Sequence, residues 1–121
     1  MNRNNAVHLT MRNPYEPSLG DLALPHVLHA LSDPTRLEVV RRLAERERVC
    51  GTLELGVTKS TLSHHLKLLR EAGVTHTRVD GVRRVVSLRR HDLETRFPGL
   101  LDVVLTSYDG LDEGEAPSPA E

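Results

Sequence analysis

The 121-residue sequence predicts a small, mainly α domain that carries one β-hairpin. Three observations predict it. Apolar residues recur at helical spacing in separate stretches before, within and after the middle of the chain. An amphipathic segment over 59–72 is preceded by Thr58, a good N-cap, and followed by Gly73, where a left-handed cap is wanted. Beyond it, two β-branched runs over 75–79 and 82–88 flank Asp80-Gly81. A two-residue Asp-Gly loop suits the type I′ turn, which needs positive φ at both positions.

In chain order, residues 1–20 contain Asn4-Asn5, Pro14 and Pro17 and read as a flexible N-terminal arm, with a short helical turn over 6–11. From Asp21 the pattern changes. Leu24, Val27, Leu28 and Leu31 stand at i, i+3, i+4 and i+7, one face of a first helix. Ser32-Asp33-Pro34 stops it and starts a second. Ser32 or Asp33 can cap, and Pro34 suits the first helical position because its missing N–H would be unpaired there anyway. The second helix is expected to reach residue 47, with Leu37, Val40, Leu43 and Ala44 inward and Arg41, Glu45 and Arg48 outward. Residues 49–56 are too short for a long helix and read as a single turn carrying Leu53 and Leu55. After the hairpin, 92–96 reads as a short turn. Pro98 is expected to open a last helix, to residue 108, with Leu100, Leu101, Val104, Leu105 and Tyr108 on a wide apolar face. The predicted organisation is therefore an arm over 1–20, one domain over 21–109, and an acidic Gly-, Pro- and Ser-containing tail over 110–121 that is expected to be disordered.

Composition narrows the class. With no Trp, one Phe and two Tyr, the core must be built mostly from Leu and Val. No apolar run approaches the ~18 residues that would cross a bilayer, so no membrane partner is expected. A single cysteine excludes an internal disulfide and any multi-thiolate metal site within one chain. A cytoplasmic protein is the simplest reading.

The net charge of −1 conceals a strong asymmetry. Residues 59–90 hold eight Lys and Arg against two acids, whereas 91–121 hold one against eight. A polyanion senses the contiguous basic stretch within a Debye length, not the average. On a helical wheel, Leu62, Leu66 and Leu69 mark the buried face of 59–72. Ser60, His64, Lys67 and Glu71 centre the opposite face, with Ser63 and Arg70 at its edge. A helix entering the DNA major groove needs short hydroxyls against base edges, longer donors for bases and phosphates, and little acid. Arg78, Arg83 and Arg84 stand near the tip of the hairpin, placed for phosphates or the minor groove. Helix, short turn, helix, then hairpin is the order of a winged helix-turn-helix.

The strings ALSDPTRLEVVRRLAE (30–45), STLSHHLKLLREAGV (60–74) and RVDGVRRVVSLR (78–89) resemble the ArsR (ArsR/SmtB) family of bacterial winged-helix regulators, over roughly residues 22–108. The resemblance implies a homodimer joined through its first and last helices. It also implies a repressor that sets its reading helices in successive major grooves of a near-palindromic double-stranded operator until an effector weakens binding. It assigns Lys59, Ser60, Thr61, Ser63 and His64 to bases or phosphates, and Lys67, Arg83 and Arg84 to the backbone. His65, on the flank of the buried stripe, reads as structural. The dimer has its own warrant: the apolar face of Leu100, Leu101, Val104, Leu105 and Tyr108 is more than a small Leu/Val core easily covers.

The family's sensor motifs are missing. The C-x-C pair before the helix-turn-helix is reduced to Cys50, and the last helix has Asp102 but no His. Weaker candidates for a Zn or Ni effector are His26 and His29, with His8 or His91-Asp92 as further donors; solvent-facing histidines are the plainer reading. Cys50 is a redox candidate if its thiolate were stabilised, against the commoner case of a small buried cysteine. A partner protein is a further candidate effector, and the alternative readings are a winged-helix protein–protein adaptor without DNA binding and a redox-responsive regulator using Cys50. An enzyme is not expected: there are no paired carboxylates at a pocket, no phosphate-binding glycine loop, and no nucleophile–base arrangement.

Overall fold

The structure, a computed structural model, describes residues 13–108. The helical turn expected over 6–11 and the tail over 110–121 lie outside the described residues. Five helices and a three-stranded sheet make the domain: α1 Leu24–Ala30, α2 Pro34–Glu45, β1 Arg48–Val49, α3 Lys59–Glu71, β2 Thr75–Asp80, β3 Arg83–Leu88, α4 Arg90–Arg96 and α5 Leu100–Ser107. This is the winged helix-turn-helix arrangement the sequence predicts. No helix among the described residues is long and apolar enough to cross a membrane.

Local chemistry sets the helix ends. Asp33, not Ser32, caps α2: its Oδ2 accepts from Arg36 N at 3.1 Å, and Pro34 follows at the first helical position. Thr58 Oγ1 caps α3 by accepting from Thr61 N at 3.1 Å. Gly73, at φ +86°, closes α3 in the left-handed region, and Val74 N bonds back to Leu69 O at 2.9 Å. Leu62, Leu66 and Leu69 are buried against Val27, Val39, Val40, Leu43, Val74 and Val86 in one aliphatic core.

Several expectations need correction. The sheet has three antiparallel strands in the order β1-β3-β2, not a bare hairpin. Arg48 and Val49 pair with Val86 and Val85, giving the second edge of β3 its backbone partners. Two residues are too few to show a period, so β1 had no sequence signature. The hairpin loop is Gly81-Val82, since Asp80 pairs with Arg83; Gly81, at φ +65°, supplies the positive dihedral at the first loop position. Helix α2 stops at Glu45 because Arg46 turns extended to feed β1. Leu53 is buried just after a 3₁₀ turn over Cys50–Thr52, rather than on it. The turn expected over 92–96 is the helix α4, pinned by buried Leu93 and by Arg89 paired with Asp92 at 3.0 Å. The last helix begins at Leu100, because Gly99 at φ +85° breaks the chain direction after Pro98.

Two buried charged groups lie inside the helical layer. Glu38 is 1% exposed and accepts from Arg41, from Arg42 Nε at 2.9 Å and from Tyr108 Oη at 3.0 Å. Its hydrogen bond holds the Arg41 guanidinium above the ordinary arginine range, against the opposing effect of burial. Arg36 donates to Ala30 O at 2.7 Å and His29 O at 3.3 Å, satisfying the carbonyl end of α1, and to His65 Nδ1 at 3.0 Å. A charge this far from water persists only with such partners. Arg36 thus ties α1 to α3 and gives His65 the structural place expected of it.

Candidate nucleic-acid interface

Helix α3 presents its polar face to solvent. Lys59, Ser60, Thr61, Ser63, His64 and Lys67 are all exposed, as is Glu71 at the far end. The alternation follows from the buried stripe: with Leu62, Leu66 and Leu69 packed inward, the residues about 180° away point outward. Thr61 Oγ1 lies 2.9 Å from Thr58 Oγ1, so its hydroxyl is held by the cap while the side chain stays accessible.

The wing stands beside this helix. Arg83 and Arg84 are exposed near its tip, next to solvent-facing Val82. Arg83 pairs with Asp80 at 3.0 Å, and Arg78 makes a two-pronged contact with Glu47, at 2.9 and 3.2 Å. The Arg78 hydrogen bonds hold the Glu47 carboxyl below its ordinary range and raise Arg78 in return. Arg78 therefore braces the wing against Glu47, in the extended link between α2 and β1. A cleft of about 70 Å³ between α3 and the wing is lined by Cys50, Ser63, Arg70, Thr77 and Arg84. Burial pushes the Cys50 thiol up, and the Arg84 charge offsets only part of that, so the surroundings do not stabilise a thiolate.

The other sequence candidates are dispersed. His26 and His29 are exposed on α1 and share a shallow cleft with Glu71. His91 is exposed, and Asp92 is occupied by Arg89. Among the described residues no group of three His, Cys, Asp or Glu side chains is placed to hold a metal ion; His8 lies outside the described residues.

The apolar face of the last helix is only partly as expected. Leu101 is 3% exposed and belongs to the core, because Asp102 and Val103 take the outward positions of that turn. Tyr108 spends its hydroxyl on Glu38. Leu100, Val104 and Leu105 are half-buried. Val103, which the periodicity passed over, is 62% exposed, as are Leu24 (43%) and Leu28 (46%) on α1. Leu24, Phe97, Leu100 and Val103 line one open groove, joining the first and last helices in a single apolar surface.

Comparison with known proteins agrees with this geometry. The Helix-turn-helix domain family matches residues 31–78. An uncharacterized HTH-type transcriptional regulator of Bacillus subtilis, YceK, is 40% identical over 64% of this chain and 82% of its own length. The arsenical resistance operon repressor of Staphylococcus xylosus is 35% identical over 72% of this chain and 85% of its own. The crystal structure of an ArsR family transcriptional regulator superposes with a TM-score of 0.57 over 66% of this chain and 90% of the other; at 21% identity the likeness is one of fold.

Proposed function

The chain belongs to the ArsR family of DNA-binding transcriptional regulators, and from that premise we propose that it represses transcription as a homodimer on a near-palindromic operator. The observation that carries the reading is the exposed face of Lys59, Ser60, Thr61, Ser63, His64 and Lys67, flanked by Arg83 and Arg84 on the wing. In this proposal Ser60, Ser63 and His64 face base edges, and Lys59, Thr61, Lys67 and the wing arginines hold phosphates. The surface of Leu24, Leu28, Leu100 and Val103 supports the dimer, since a two-fold axis through it would bury it and set two reading helices on matched half-sites. Repression is drawn from the likeness to the Staphylococcus protein.

A mobility-shift titration on the DNA upstream of the protein's own gene tests this, with random duplex as the control. Expected is tighter binding to the upstream DNA and an affinity that falls steeply with salt, with a log–log slope of about −0.9 per phosphate neutralised. Absence of binding to any duplex at low salt would sink the proposal and favour a protein–protein adaptor on the same fold.

A further inference from the structure

Residues 13–17 belong to neither the reading helix nor the wing, yet they are bonded to both. Arg70, at the end of α3, donates to Tyr15 O at 3.1 Å. On either side of that contact the segment takes a backbone donor of β2. Glu16 Oε2 accepts from Thr77 N and Asn13 Oδ1 from Val79 N, both at 2.7 Å. His76 Nδ1 donates to the Glu16 carboxylate at 2.9 Å, and Arg89 donates to Pro17 O at 2.8 Å. The Glu16 side chain is 16% exposed, so these partners replace most of its water. The segment is thus a strap along the outer edge of β2, taking donors that an edge strand would otherwise leave open.

The outer half of the wing has little else to hold it. β1 pairs with β3 at Val85 and Val86, near its base. Beyond them Arg83 and Arg84 lie on a two-stranded ribbon that ends beside Val82, 97% exposed. A ribbon of two strands is marginal alone and twists readily. The brace from Arg78 to Glu47 is an exposed ion pair, a kind that contributes little by itself. Packing onto α3 is incomplete as well: the cleft of about 70 Å³ has Ser63 and Arg70 on one wall and Thr77 and Arg84 on the other. The strap acts where that gap is left. Thr77 borders the cleft, and Val79 is the ladder partner of Arg84.

We propose that Glu16 and Asn13 are positioning residues for DNA binding: through Thr77 and Val79 they fix Arg84 at a set distance from the reading helix. The proposal rests on the DNA-binding reading above. A wing already held in its bound position loses less conformational freedom when it meets the phosphates, so the strap contributes affinity without touching DNA. Its contribution passes through Arg84 and disappears when that side chain is removed.

The test compares Glu16→Ala, Glu16→Gln and Asn13→Ala with the unaltered chain, each with Arg84 present and with Arg84→Ala. Binding to the DNA upstream of the protein's own gene is followed by fluorescence anisotropy, and amide exchange by NMR without DNA. Glu16→Ala and Asn13→Ala are expected to weaken binding roughly fivefold to tenfold while Arg84 is present, and less than about twofold once it is gone, as coupled neighbours do. Glu16→Gln should recover most of the loss, because its amide oxygen still accepts from Thr77 N. The Thr77 amide should exchange faster in Glu16→Ala and the Val79 amide in Asn13→Ala, with Leu66 and Leu69 of α3 unchanged. Full affinity in both alanine variants, or losses of equal size with and without Arg84, would overturn the proposal. So would faster exchange throughout α3, which would make the strap a general stabiliser. Failure of the unaltered chain to bind any duplex would overturn this inference together with the regulator reading beneath it.

Discussion

Replacing Gly73 with alanine tests how the reading helix is fixed to the rest of the domain. Gly73 combines two demands that usually occur apart. Its φ of +86° lies in the left-handed region, where a Cβ costs roughly 1–2 kcal/mol. A Cβ built there would also come within 2.0 Å of Leu22 Cδ2 and 3.2 Å of Pro17 Cγ. Leu22 is itself buried in the core, so it cannot swing into solvent, and forced repacking of this kind costs typically about 1–3 kcal/mol. Together Gly73→Ala should destabilise by about 2–5 kcal/mol, a large share of the ~5–15 kcal/mol expected of a small domain. Gly81 supplies the control: its φ is +65°, but no atom lies within 4 Å of the added Cβ. Gly81→Ala should therefore show the dihedral cost alone, roughly 1–2 kcal/mol. Urea unfolding of the three proteins by circular dichroism measures both. Equal losses for the two variants would refute the claim that Leu22 makes Gly73 obligatory.

Four further outcomes are expected. Lys67→Ala should weaken binding to specific and random duplex alike and reduce the salt slope by about 0.9 per chain. Ser63→Ala or His64→Ala should instead narrow the gap between operator and random DNA, as competition titrations would show; equal losses on both duplexes would remove these residues from base reading. Val103→Asp or Leu28→Asp should yield folded monomers by light scattering, whereas Leu101→Asp, in the core, should unfold the domain. Unchanged mass in the first two would move the dimer interface elsewhere. With its pKa raised by burial, Cys50 should alkylate more slowly in the native protein than in the unfolded chain near pH 8. The gap should narrow only as pH rises through the native value. Faster reaction in the native protein would revive the redox reading.

Much of this protein is written in local sequence. The cap at Thr58, the helical spacing of Leu62, Leu66 and Leu69, the left-handed turn at Gly73 and the Gly81 hairpin each follow from neighbours within a few residues, although the close approach of Leu22 to Gly73 does not. So the helix order, the wing and the outward face of α3 could all be read in one dimension. What the sequence missed depends on partners far along the chain. Glu38 looks like any helix surface acid until Tyr108, seventy residues away, is seen bonded to it. Leu101 and Val103 are both apolar, and only the packing of α5 on the core decides which is buried. Residues 13–17 carry no periodicity, because their order comes from hydrogen bonds to Arg70, Thr77, Val79 and Arg89 rather than from their own conformational preference. Local propensity and periodicity therefore determined which segments are helix, hairpin and reading face. Only the tertiary structure decided which apolar residues remain outside, which charges go inside, and that residues 13–17 lie along the edge of β2, since burial and long-range hydrogen bonding are properties of the packed whole.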